Sequence, residues 1–511
     1  MLLSRKLKFF CIFILSGYIL WSQPQSKLSY TLSLEQSNPA KFHVEFLCEG
    51  LKGEIKDFKM PAIAPGYYRV LDFAGKVENF NVQDLNGNPM PWEKISKNTW
   101  RLGINQCEAI QISYDVKSNH DSVADSFIDE KRAYIAPPGI FLYPDRQIDH
   151  PVTVSMIPPD NFLKISTGLE PVKDKANTFY AKNYDILYDS PIYIGNQEVI
   201  SFDVKGITHR VSMENPGIFD RNQFAADLKK MIETATTLIG EIPYPHYTFI
   251  FMDEGKGGLE HWNSTAVFLN VSGNENPWRK DGLMDFLTHE YFHLYNVKSI
   301  RPIALGPFNY DGENYTDMLW LSEGATVYYE YIILNRAGFL NRKECLDRMS
   351  KVFANNQNNP AHLTQSVAEA SRKAWTQSFF GNPDEVSYYD KGLVLSVLLD
   401  LKIRHETGNN KSLDDVMRTC YQEFYKKRQR GFTQNEFQQV CEKLAGTSLK
   451  SFFDLIHNTE EIDYEKYFSC AGLTIQFIDD DKKSGKKKCA ITPISNPNPL
   501  QKKILQNWLN E

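Results

Sequence analysis

The stretch Phe286-Leu287-Thr288-His289-Glu290-Tyr291-Phe292-His293-Leu294 decides how the rest of the chain is read. It is an H-E-x-x-H pattern inside an apolar run. On a helix, residues four apart lie on one face, so His289 and His293 project together. Two neutral imidazoles at that spacing can grip one zinc ion, and Glu290 beside them can take a proton from a water that the metal activates. A chance match on an amphipathic helix is the alternative, and the remainder of the chain has to decide between them.

A catalytic zinc takes three protein ligands and keeps one open position. The third candidate is Glu323, on a predicted amphipathic helix from Met318 to Leu334. A buried carboxylate with no partner is costly, and a metal is one partner that relieves it. A solvated glutamate near a helix start is the competing account. Glu330 lies seven residues further along the same face and could orient a ligand or form a salt bridge. The oxyanion of a hydrolytic reaction needs a stabiliser besides the metal. The phenols of Tyr388 and Tyr389 are candidates, among 26 tyrosines in the chain.

Outward from the motif, the pattern remains informative. Gln223–Gly240 has helical spacing and ends at a glycine that can cap it. Tyr247–Met252 reads as a strand, followed by the Asp253–Gly258 glycine loop and the β-rich run Ser264–Leu269. Helix, strand, glycine loop, edge strand and motif helix together resemble the layout of a thermolysin-like catalytic domain. Residues 27 to about 213 read as short strands with recurring turns, a β-sandwich-like pattern. His43, His120 and His150 are scattered there as surface or structural residues. Residues 339 to about 470 are mostly helical, with Leu393–Ile403 a core helix and Thr433 a cap for Gln434–Leu444. The expected organisation is a signal segment over 1–23, an N-terminal β-rich domain over 24–213, a catalytic domain over 214–470 and a short tail over 471–511. The fold class is α+β.

The first residues support an address signal. Arg5, Lys6 and Lys8 precede the apolar run Phe9–Leu20, which is too short for a membrane span and suits a signal peptide. The expectation is an exported protein, periplasmic or extracellular, with no membrane span once the signal is removed. Seven cysteines follow the signal, with wide spacings and no C-x-x-C, so no disulfide framework is implied. The 511-residue chain is 42% hydrophobic and 23% charged, the composition of a globular protein of several domains. Its net charge of −6 gives no electrostatic case for nucleic acid. No segment specifies an oligomeric state.

Several motifs then line up in one order. Gly257-Gly258-Leu259-Glu260-His261 is followed by His289–Lys298 with Arg301-Pro302, then Trp320-Leu321-Ser322-Glu323-Gly324 and Tyr388-Tyr389-Asp390-Lys391-Gly392. In this the chain resembles the glycyl aminopeptidase family of zinc metallopeptidases, over roughly residues 27–475. The resemblance implies an N-terminal β domain, a thermolysin-like domain, one zinc ion per chain, and peptide substrates with a free N-terminus, glycine or alanine preferred. It places Glu260, with Gly258 beside it, where the related larger aminopeptidases bind the substrate's α-amine. A carboxylate there pairs with an ammonium and fixes the scissile bond one residue away. The motif reads Gly-Gly-Leu-Glu-His rather than Gly-x-Met-Glu-Asn. The family's tyrosine maps to Tyr388, with Tyr389 adjacent as a substrate contact. The PDZ domain often found in this family does not fit in the 41 residues after Cys470, so the tail is at most a remnant. The competing functions are a zinc endopeptidase on the same scaffold and an inactive peptide-binding protein.

Overall fold

Strict alternation builds the first strand, Lys27–Glu35, where Leu28, Tyr30, Leu32 and Leu34 point inward. The computed structural model describes residues 27–36, 40–105, 107–119, 122–269, 282–376, 384–479 and 485–511. The expected signal segment and His120 lie outside these residues. The first strand pairs antiparallel with Lys41–Glu49 and parallel with Val152–Ile157, at the centre of a seven-stranded sheet. A four-stranded sheet around Ile55–Lys59 and Thr99–Gly103 packs on it, with the Phe46 and Phe58 rings meeting edge to face at 5.9 Å. This is the sandwich that the alternation predicts. His43 pairs with Asp115 at 2.7 Å and His150 meets the carbonyl of Pro151, both structural roles.

The β-rich half ends earlier than expected. Strands Glu198–Val204 and Ile207–Met213, assigned from sequence to the first domain, form a hairpin whose second strand pairs in parallel with His246–Met252. They therefore open a second sheet, completed by Ser264–Phe268 and, at its edge, Gly258–Glu260. Alternation in a hairpin says which residues are strands but not which sheet receives them.

Helices cover this sheet. Arg221–Ile239 starts on the Asp220 cap and ends at Gly240, in the left-handed conformation a helix terminus favours. The motif helix, Leu283–Phe292, the Ala325–Arg336 helix and the buried Tyr388–Glu406 helix share one apolar core. Ala325–Arg336 is buried on nearly every face rather than amphipathic. The Gln434–Ala445 helix carries the Thr433 capping box. The tail is integrated too. Its hairpin Leu473–Asp479/Lys487–Pro493 is followed by the Pro499–Trp508 helix, whose Trp508 indole donates to the Tyr328 hydroxyl at 3.0 Å. The seven cysteines among the described residues are unpaired, five of them buried. No described helix is long and apolar enough to cross a membrane.

Candidate active site

The motif helix ends as the site begins. His293 is its C-cap, still in right-handed helical geometry, so it shares a face with His289 one turn earlier. The imidazole Nε2 atoms of the two residues lie 3.0 Å apart. Glu323 Oε2 lies 3.3 Å from Nε2 of His293 and 3.8 Å from that of His289. Tetrahedral zinc with ligands at about 2.0–2.1 Å wants its donor atoms ~3.3 Å apart, and the three separations straddle that value. The donor set of His289, His293 and Glu323 therefore fits zinc, and it is the one group of three such ligands found among the described residues.

The ligands are held from behind. Nδ1 of His293 meets the backbone carbonyl of Asn296 at 2.8 Å, which leaves Nε2 free to ligate. The Asn296 amide donates to the carbonyls of Leu321 and Ser322 and to Thr326 Oγ1, so it ties the end of the motif helix to the turn carrying Glu323. Nδ1 of His289 faces Glu330 Oε2 at 3.5 Å. Glu323 itself sits on one π-helical turn, Trp320–Gly324, the kind of local insertion that re-aims a side chain. Gly324 and Gly392 touch there. A methyl group on Gly324 would lie 2.3 Å from the Gly392 Cα, so the glycines let the tyrosine-bearing helix approach the Glu323 turn.

Opposite charges offset burial within the site. Burial disfavours charge on His289, but the Glu323 and Glu330 carboxylates outweigh it and raise the imidazole to about 10. Burial also acts against ionisation of Glu323, yet the two histidines hold its carboxyl well below the ordinary range. Glu290 is buried and raised to about 7 by desolvation, which outweighs the lowering by His289 and His293. Its carboxylate is hydrogen-bonded to no described residue.

The two candidate tyrosines separate. Both begin the Tyr388–Glu406 helix, just after the Ser387 cap. The Tyr389 ring lies over His289 at 6.2 Å and stays 39% exposed. Burial raises its phenol, and Glu323, Glu260 and Glu290 add to that. Tyr388 stacks behind it at 5.0 Å and packs against both large apolar cores, with Glu323 the one carboxylate acting on its phenol.

Glu260 forms the far end. Its strand is the sheet edge, and the residue is buried. The ammonium of Lys298 is 3.6 Å from Glu260 Oε1, an atom that accepts no hydrogen bond. Lys298 is itself held at 2.8 Å by Asp189, which also receives His261 Nδ1 at 3.0 Å and the Trp262 N–H at 2.8 Å. Gly258 serves packing: a side chain there would lie 2.6 Å from the Phe286 ring on the motif helix.

Sequence reasoning missed Asp189, Tyr68 and Gly66. The Tyr68 hydroxyl donates to Glu323 Oε1 at 2.8 Å, and Gly66 abuts Glu260. Both come from the β-rich half, over 190 residues from the motif. The one signal for them was the turn pair Pro65-Gly66.

Comparison with known proteins agrees with this geometry. The peptidase M61 N-terminal domain matches residues 29–196, and the M61 glycyl aminopeptidase model matches residues 282–395. An aminopeptidase N family protein from Idiomarina loihiensis is 27% identical and superposes with a TM-score of 0.80, over 88% of this chain and 79% of that one. An M1 zinc metallopeptidase from Deinococcus radiodurans (11% identical, TM-score 0.54, 86% and 96% covered) and native yeast LTA4 hydrolase (15%, 0.54, 88% and 70%) share the fold. No curated protein matches the chain. With the two family patterns in order over more than half its length, and the histidine–glutamate cluster inside the second, the chain belongs to the M61 glycyl aminopeptidase family and is a metallopeptidase.

Proposed function

We propose that this chain is a zinc-dependent aminopeptidase that removes N-terminal residues from peptides. One observation carries the reading: near the zinc-shaped donor triad lies a buried carboxylate, Glu260, one oxygen of which accepts no hydrogen bond. Lys298 is shared by two carboxylates, Asp189 at 2.8 Å and Glu260 at 3.6 Å, so its one positive charge does not balance both. A substrate ammonium supplies the missing charge. Two acidic groups sharing one lysine is what an N-terminus reader needs; an endopeptidase has no use for it.

His289 and His293 through Nε2, and Glu323 through Oε2, would hold the zinc, which supplies Lewis-acid activation of a water and of the scissile carbonyl. Glu290 accepts the proton of that water and returns it to the leaving amine; its free, buried carboxylate suits both transfers. The Tyr389 hydroxyl donates to the carbonyl oxygen as charge gathers on it. Glu260 pairs with the α-ammonium and fixes the bond that is cut. The preference for glycine and alanine rests on the family. The basic and apolar residues from Arg5 to Leu20 support export to the periplasm or outside the cell.

The test compares a glycine or alanine dipeptide amide with its N-acetyl form, on protein loaded with one equivalent of zinc. Cleavage of the free-amine form at least 10²-fold faster is expected. Equal rates would turn the assignment to an endopeptidase, and no cleavage of either would leave a peptide-binding protein.

A further inference from the structure

After the Ile55–Lys59 strand the chain leaves the β-rich half and enters the cleft. The excursion is clamped at its base. Ile63 and Val70 form an antiparallel bridge, the Leu71 N–H donates to the Ala62 carbonyl at 2.7 Å, and the Ala62 N–H donates to the Tyr310 carbonyl at 2.7 Å. Two residues at its tip take left-handed backbone conformations, Gly66 at φ 87° and Tyr68 at φ 46°. The second is unfavourable for a tyrosine, and its surroundings hold it there. The ring is buried edge-on against Trp375 at 6.1 Å.

Both tip residues meet a carboxylate of the site. The Tyr68 hydroxyl donates to Glu323 Oε1, while the other oxygen, Oε2, faces the histidines. The hydrogen bond thus divides the carboxylate into a held oxygen and a ligating one. At Gly66 the fit is steric: a Cβ would lie 2.5 Å from Glu260 Oε1. A side chain there would push Glu260 from its place.

We propose that Tyr68 and Gly66 are positioning residues through which the β-rich half sets the metal site and the amine end at once. Tyr68 holds Oε1 of Glu323, which would leave Oε2 for the metal, and Gly66 leaves Glu260 the room to face the substrate ammonium. The loop is a ruler between the two carboxylates. This rests on the zinc aminopeptidase reading above.

The experiment measures zinc affinity by chelator competition on the full chain, the visible absorption of the cobalt(II)-substituted protein, and KM for a free-amine dipeptide amide. Wild-type protein that binds no zinc overturns the zinc reading itself, and with it this inference. Given wild-type binding, Tyr68→Phe keeps the ring and its contact with Trp375. It is expected to weaken zinc roughly tenfold, within the range seen when a group holding a ligand is removed, and to shift the cobalt spectrum, while metal-free melting stays as in wild type. Unchanged affinity and spectrum overturn the role of Tyr68 alone. Gly66→Asn keeps a residue tolerant of positive φ but adds a Cβ. It is expected to raise KM several-fold with zinc affinity near wild type. An unchanged KM overturns the role of Gly66.

Discussion

The two ends of the cleft are built by opposite routes. At the metal end, His289, Glu290 and His293 come from one helix, and Glu323 from a turn about thirty residues on that Asn296 ties to it. At the end proposed to take the substrate amine, Glu260, Lys298, Asp189 and Gly66 come from four separate segments across both halves of the chain. The histidine pair follows from helical periodicity, and Tyr68 is, among the described residues, the one group from the β-rich half that reaches the carboxylate beside it. The amine end exists only once the β-rich half has docked. On the function proposed above, the histidine pair is encoded locally, while the choice of substrate depends on the tertiary fold.

The largest expected effect strikes the metal end alone. Glu290→Gln removes the proton acceptor and leaves the three ligands untouched. Its kcat should fall about 10³-fold, or about 4 kcal/mol of transition-state stabilisation, with zinc still bound at one equivalent. Steady-state kinetics beside metal analysis checks it; a variant with wild-type kcat would remove Glu290 from the mechanism. Next comes the contact joining the two motif segments. Gly392→Ala places a methyl group 2.3 Å from the Trp320 carbonyl oxygen and near the Gly324 backbone. Because backbone cannot step aside as a flexible side chain does, a loss of ~3 kcal/mol in unfolding free energy is expected, beyond the usual range of overpacking only if the helices cannot part. Denaturant unfolding measures it, and a loss under 1 kcal/mol would mean that the helices separate freely.

The tyrosines sharpen the comparison at the reaction centre. Tyr389→Phe should lower kcat roughly 10²-fold, the scale of one lost oxyanion donor. Tyr388→Phe should stay within a few-fold, because that ring serves packing. The reverse order would move the role to Tyr388. At the amine end, Glu260→Gln should raise KM for a free-amine dipeptide amide by roughly 30-fold and leave the N-acetyl form nearly unchanged, since only the first carries the ammonium.

This division also explains what could be read in advance. Strand alternation from Lys27, the helix ending at Gly240 and the H-E-x-x-H face are short-range patterns, and each was legible. That His289 and His293 share a face was legible from their helical spacing, and Glu323 from its place near the start of a second helix; the structure brings the three together. Which of two adjacent phenols stays exposed beside His289 was not legible, since a helix start rotates neighbours by about a hundred degrees and only packing tells which way. The strands Glu198–Met213 were legible as strands but not as members of the second sheet, because a hairpin carries no label for its partner. Tyr68 was invisible among 26 tyrosines, since its hydrogen bond spans 255 positions. Asp189 had no motif around it; its role depends on Lys298, a hundred residues away.

Asp189 also yields the smallest effect and the one most specific to the amine end. Burial alone would raise its carboxyl, but Lys298 and His261 outweigh that and hold it below its ordinary range. A carboxylate whose folded pKa is depressed stabilises the fold above its unfolded pKa and loses that stabilisation as pH falls through the folded pKa. With an unfolded value near 3.9, the loss lies below about pH 4. Asp189→Asn leaves Lys298 with Glu260 as its single carboxylate. At pH 7 the variant should therefore be less stable than wild type, because part of a buried charge network has been removed. Below about pH 4 the gap should narrow, since acid removes from wild type the same charge that the substitution removes. Chemical unfolding of both proteins across pH 3 to 7 measures the gap directly. If it stays constant, Asp189 is held by packing rather than by charge. The excess negative charge proposed for that end, which needs both carboxylates against the one lysine, would then lose its support.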